Sequence, residues 1–214
     1  MSAEVATAIE QDGVVAIVRL DDLSAAVGLA EALGRGGVRV VEFTFTNPGA
    51  GRAIEAVGAA LGEAVVVGAG SVLDAETART AILAGARFIV TPVVSLPVIA
   101  CCNRYGVPTV IGAFTPTEIL AAWEAGATFV KVFPASAGGP RYLKDVRGPL
   151  PQVKLIPTGG VGADNAAEFI RAGASAVAVG GNLVDPVLVQ ACRWDELAAR
   201  ARELMETVRD AKGS

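Results

Sequence analysis

Eight short runs rich in β-branched residues recur along the chain at intervals of about one strand-plus-helix unit, and they constrain the fold more than any other feature. They are VVAIVR (14–19), VRVVEFTF (38–45), AVVVGAG (64–70), RFIVTP (87–92), PTVIGA (108–113), TFVKVFP (128–134), VKLIPTGG (153–160) and SAVAVGG (175–181). Runs that are apolar on both faces belong to parallel strands covered by helices. The intervening segments, such as LSAAVGLAEALGRG, AETARTAILAG, PTEILAAWEAG and ADNAAEFIRAG, carry helical periodicity, several opening on Asp, Ser or Thr and closing on Gly. Eight strands and eight helices in 214 residues predict one domain over 1–214, a closed (β/α)8 barrel of the TIM type with a short N-terminal helix. An open doubly wound sheet competes on pattern alone, but no GxGxxG turn follows the first run.

A hidden repeat favours closure. GGVRVVE (36–42), AGARFIV (84–90), AGATFVK (125–131) and AGASAVA (172–178) share a glycine and a following apolar stretch, and they fall on the even strands. Alternate strands contribute side chains to one layer inside such a barrel. Alignment on Gly37, Gly85, Gly126 and Gly173 puts Glu42, Val90, Lys131 and Ala178 in one register. Glu42 and Lys131 are therefore expected to point into a single layer of the lumen.

Composition narrows the chemistry. With 52% hydrophobic and 19% charged residues the chain can bury a large core, and its 25 glycines and 11 prolines are scattered rather than clustered into a linker. A net charge of -4 without a basic run argues against nucleic acid, and no apolar stretch reaches bilayer-spanning length. The N-terminal segment MSAEVATAIEQDG lacks the pattern of a secretory signal, so a cytoplasmic location is expected. The three cysteines, Cys101 and Cys102 adjacent and Cys192 remote, do not form a stapling pattern, and no basic partner marks either adjacent thiol as a nucleophile. Histidine is absent altogether. That removes the commonest general base and the imidazole ligands of most zinc sites, so acid, base and nucleophile must come from Glu, Asp, Lys, Tyr or Cys.

Lys131 is the one charge in TFVKVFP. A buried ammonium is costly, and desolvation favours the neutral amine, which can attack a carbonyl near neutral pH. Glu42 interrupts VRVVEFTF in the same way and is the best candidate for proton transfer. A purely structural ion pair between the two is the competing account. The turns at Gly159-Gly160 and Gly180-Gly181, after strands seven and eight, suit anion binding through backbone N–H groups, although tight turns need glycine too. Arg19, at the end of the first run, suits a carboxylate or phosphate, or simply a solvated strand end. Ser71 and Thr91-Pro92 stand at the ends of strands three and four, where loops build the mouth of a barrel site.

In these motifs the chain resembles the class I aldolases for 2-keto-3-deoxy-6-phosphogluconate and 4-hydroxy-2-oxoglutarate. GGVRVVEFTFT, VVGAGSVLD, RFIVTP, FVKVFPAS with the following GP, PTGGV and GGNLV stand in the family's order over nearly the whole length. The resemblance implies a Schiff-base role for Lys131, an acid/base role for Glu42, and a substrate-binding set that adds Thr46, Phe133, Thr158 and Asn182 to the residues above. It also implies a homotrimer, no metal or organic cofactor, and a 2-keto acid and an aldehyde as small-molecule partners. Three positions depart from the family. Thr46 stands where many members have an arginine, so Arg19 is expected to hold the anion instead; Ser71 replaces a threonine; and Asn182 replaces a phosphate-binding serine. The segment FPASAGGP also resembles that of aldolases acting on the galactonate epimer. A phosphosugar isomerase or decarboxylase using the same glycine loops, and a non-catalytic effector-binding barrel, are the rival functions for this fold.

Overall fold

The computed structural model describes residues 2–213, and the elements run α1 (Ser2–Asp12), β1 (Val14–Val18), α2 (Ala26–Arg35), β2 (Val40–Thr44), α3 (Ala50–Leu61), β3 (Val66–Gly70), α4 (Ala75–Leu83) and β4 (Ile89–Val90) in the first half. The second half continues with α5 (Leu96–Tyr105), β5 (Thr109–Ala113), α6 (Pro116–Glu124), β6 (Phe129–Val132), α7 (Gly139–Arg147), β7 (Leu155–Pro157), α8 (Ala166–Arg171), β8 (Val177–Val179), α9 (Pro186–Gln190) and α10 (Trp194–Gly213). All eight strands are parallel, in the order β7-β6-β5-β4-β3-β2-β1-β8. A bridge between Thr158 and Ala178, with the Ser175 N–H donating to the Leu155 carbonyl at 2.9 Å, joins the two ends of that order and closes a (β/α)8 barrel. Each of the eight β-branched runs contains one strand. Ten α-helices stand among the described residues: α1 is the expected short N-terminal helix, and one helix beyond the expected eight arises because α9 and α10 both follow the last strand.

The four repeat glycines explain how each helix hands over to its strand. Gly37, Gly85, Gly126 and Gly173 have φ of 96°, 96°, 93° and 97° respectively, on the positive-φ side where a side chain is strained. At each the chain turns from the last helical turn into an even strand, so the repeat is a repeated C-terminal stop. Starts are marked as clearly: the Asp74 carboxylate accepts from the Thr77 N–H at 2.6 Å, and Thr115 with Glu118 forms a reciprocal capping box on α6.

Two apolar clusters share the barrel wall. The larger lies between strands and helices, and the smaller fills the lumen with Val15, Ile17, Val40, Val66, Phe88, Val90, Val110, Phe129, Ile156, Ala176 and Ala178. Val5 and Ile9 of α1 belong to that lumenal cluster, so α1 plugs one end of the barrel. Ion pairs pin it there: Glu10 with Lys154 at 2.9 Å and Asp12 with Arg39 at 2.7 Å. Strand alternation places Val40, Phe88, Phe129 and Ala176 in one even-strand layer and Glu42, Val90, Lys131 and Ala178 in the next, as the repeat predicted.

Phe88 fills space that Gly68 leaves empty: a Cβ on Gly68 would lie 2.4 Å from its ring. Gly68→Ala is therefore expected to lower the urea-unfolding free energy by about 1–3 kcal/mol through overpacking. Adding Phe88→Leu should recover part of that loss, and equal stabilities of the single variant and the parent would contradict the packing described.

Candidate active site

Burial of two opposite ionisable groups is the defining property of the lumen's upper layer. Glu42 is 2% exposed and Lys131 4%, yet no hydrogen bond or ion pair joins them directly. Both nevertheless feel each other electrostatically, and Arg19 acts on both. Burial pushes the Glu42 carboxyl above its ordinary range, partly offset by Lys131 and Arg19. Burial likewise pulls the Lys131 ammonium below its ordinary range; Glu42 opposes this and Arg19 adds to it. In both groups desolvation is the largest cause, so the lumen favours a neutral amine beside a carboxyl that readily holds a proton. That combination provides a nucleophile and an acid/base partner without histidine.

Local packing sets the position of each. A Cβ on Gly70, at the end of β3, would stand 2.7 Å from the Glu42 Oε1, so the glycine makes room for the carboxyl. The Lys131 Nζ lies 5.1 Å from the centroid of the Phe133 ring, two residues further along the chain. Gly159, with φ of 92°, packs against that ring, where its own Cβ would be 3.3 Å away.

A cleft of about 400 Å³ opens above this layer, lined by Ile17, Arg19, Phe133, Thr158, Gly159, Gly160, Val161, Ala178, Gly180, Gly181 and Asn182. Eight of the residues singled out in the sequence thus share one surface. Arg19 is exposed there and makes no ion pair among the described residues, which leaves its guanidinium available to an anion. Among the described residues no backbone carbonyl takes the N–H groups of Gly160, Val161, Gly181 or Asn182. The Asn182 side chain is tied to the neighbouring loop, its Nδ2 donating to the Val161 carbonyl at 3.0 Å. Asn165 ties the same loop from below, donating to the Gly160 carbonyl at 2.9 Å and accepting from the Gly162 N–H at 3.0 Å.

The remaining expected residues stand apart from the cleft lining. Thr46 is exposed, and its hydroxyl bonds that of Thr44 at 2.9 Å; buried Thr44 in turn donates to the Val18 carbonyl at 3.3 Å, steadying the end of β1 that carries Arg19. Ser71 follows β3 with φ of 57°. Thr91 is fully buried, with its hydroxyl engaged by the protein itself, and Pro92 is half-buried. Sequence reading missed Gly70 and Gly112, whose bare Cα atoms admit neighbouring groups, although a glycine inside a strand is a recognisable sign of close approach. A larger hollow, of about 630 Å³, lies between α4 and α5 around Arg79, Arg104 and Tyr105, and none of the lumenal groups lines it. Among the described residues no three His, Cys, Asp or Glu side chains converge to hold a metal, and no helix is long and apolar enough to cross a membrane.

Comparison with known proteins follows the same lines. A family model for KDPG and KHG aldolase matches residues 5–200. A 2-dehydro-3-deoxy-phosphogluconate aldolase of Haemophilus influenzae is 34% identical over 198 residues, covering 92% of each chain. A solved native KDPGal structure superposes with a TM-score of 0.87 at 31% identity, covering 94% of this chain and 96% of that one. The KDPG aldolase of Legionella pneumophila, solved with pyruvate captured as a covalent carbinolamine, also gives 0.87, at 27% identity over 94% of this chain and 97% of that one.

The burial of Lys131 fixes a sign for the pH dependence of stability. Lys131 titrates below its ordinary 10.5 when folded, so the unfolded chain binds the extra proton, and the cost of burying the lysine is full below the folded value and fades as pH rises to 10.5. Lys131→Met should accordingly raise the unfolding free energy, by a margin that narrows as pH rises from the folded value toward 10.5. A margin independent of pH in urea titrations would show that burial does not set the lysine's acidity.

Proposed function

The chain belongs to the KDPG and KHG aldolase family, and from that premise we propose that it is a Schiff-base aldolase in which Lys131 and Glu42 carry the chemistry. Its substrates are 2-keto-3-deoxy-6-phospho sugar acids of the gluconate type or 4-hydroxy-2-oxoglutarate, split to pyruvate and an aldehyde, glyceraldehyde 3-phosphate or glyoxylate. The galactonate epimer belongs to the same class of substrate, and the likeness to the native KDPGal structure supports its inclusion. The observation that carries the reading is the lysine held beside a proton-retaining carboxyl in the barrel lumen.

The neutral Lys131 amine attacks C2 of the keto acid, and loss of water from the carbinolamine gives an iminium. Glu42 in its carboxylate form takes the C4 hydroxyl proton, directly or through a water, as the C3–C4 bond breaks and its electron pair moves onto the iminium. The aldehyde leaves, and the protonated Glu42 returns its proton to C3 of the enamine. Hydrolysis of the resulting imine frees pyruvate and the amine. Arg19 and the backbone N–H groups bordering the cleft hold the anionic ends of the substrate. The fixed Asn182 amide group suits a supporting role in that loop better than direct donation to phosphate.

A homotrimer belongs to the same proposal, as does the assignment of 1–214 to one domain. A cytoplasmic setting accords with Cys101, Cys102 and Cys192 standing as free thiols.

Borohydride reduction with pyruvate should leave a reduced adduct on Lys131, visible by mass spectrometry and lost in Lys131→Met; an unmodified wild-type protein would end the proposal. Glu42→Gln should still take the adduct while kcat for cleavage falls by about 10²–10⁴-fold. Arg19→Gln is expected to raise KM with little change in kcat, as for a contact made equally in ground and transition states. Pyruvate release measured over phosphorylated and unphosphorylated keto acids, with both C4 epimers, then identifies the aldehyde.

A further inference from the structure

β4 ends abnormally beside the amine, and Thr91 is the reason. Its N–H donates to the Val110 carbonyl at 3.1 Å, a regular parallel rung. The next rung should run from the Gly112 N–H to the carbonyl of Thr91 itself. Instead the Gly112 N–H donates to the Thr91 hydroxyl at 3.0 Å, and that hydroxyl donates to the Val93 carbonyl at 2.6 Å. A side-chain oxygen standing in for a backbone carbonyl lets the chain leave the sheet early.

Gly112 shows where the chain goes. A Cβ there would lie 2.2 Å from the Pro92 carbonyl carbon, 2.3 Å from its oxygen and 2.5 Å from the Val93 nitrogen. Gly112 is the register partner of Lys131, on the face of β5 that Val110 turns to the lumen. Neighbouring strands are about 4.8 Å apart. The Pro92–Val93 peptide thus takes the side-chain place next to Lys131 on its β5 side, and the Phe133 ring, 5.1 Å from Nζ, provides another wall.

We propose that Thr91 is a positioning residue: its hydroxyl latches the Pro92–Val93 peptide beside Lys131 and so limits the direction from which a ketone reaches the amine. Thr91 was expected to bind substrate, but its hydroxyl is fully buried and doubly bonded within the protein, so it acts through the loop. The inference rests on the reading of Lys131 as the imine-forming group. Thr91→Val keeps the shape and removes the latch, leaving a buried N–H and a carbonyl without their partner, whereas Thr91→Ser keeps it.

The test is borohydride trapping over a pyruvate series, with thermal melting of each variant. Thr91→Val should need roughly 10- to 100-fold more pyruvate for half-maximal adduct, and Thr91→Ser should return close to wild type. A residue that merely supports the fold would lower the melting temperature and leave half-saturation of the folded protein unchanged, which would overturn the latch. Should Thr91→Val not fold, Gly112→Ala retains the hydroxyl but pushes the same peptide; folded protein with wild-type half-saturation would overturn it equally. Wild-type protein that takes no adduct overturns the imine reading and the latch together, whereas equal adduct on wild type and Thr91→Val removes the latch alone.

Discussion

Removal of water from around Lys131 and Glu42 is the constraint on which the rest of the structure turns. Each charge is disfavoured by burial, and neither is neutralised by direct contact with the other. A closed ring of strands is what keeps them there. The aromatic and aliphatic layer beneath, with Phe88 and Phe129, excludes water from below, and α1 seals that end through Val5 and Ile9. The same low-polarity setting that makes the charges expensive favours a neutral amine and a carboxyl that holds its proton, the two states the proposed chemistry needs.

Glycine is used around this pair in two distinct ways. At Gly37, Gly85, Gly126 and Gly173 it provides a backbone conformation that closes a helix. At Gly70 and Gly112 it provides absent volume, into which the Glu42 carboxyl and the Pro92–Val93 peptide fit. The second use brings functional groups closer than a side chain would allow. The lumen is consequently packed below the reactive layer and carved at it, and the cleft above continues to Arg19 and the loops after β7 and β8.

The loops divide support from exposure. Asn165, Asn182, Thr44 and Thr91 spend their polar atoms on backbone carbonyls and N–H groups, fixing the segments that border the cleft. Among the described residues Arg19 has no ion-pair partner, although its charge acts on Glu42 and Lys131. An unpaired guanidinium at the rim of a buried amine and acid fits an anionic substrate, because the ligand completes what the protein leaves open.

Strand count, parallel order and the shared layer of Glu42 and Lys131 were legible in the sequence, because alternation along a strand and the glycine-marked repeat are local patterns that barrel geometry converts directly into position. The family was legible for a related reason: its motifs sit at strand ends, where the barrel gathers them. Which polar groups are free was not legible. Thr91 and Asn182 look like ligand-binding side chains in a linear reading, and only the meeting of β4 with β5, and of the loops after β7 and β8, shows the Thr91 hydroxyl engaged twice and the Asn182 Nδ2 donating to the Val161 carbonyl. Hydrogen-bond partners and desolvation depend on residues distant in the chain, so tertiary structure alone decided them.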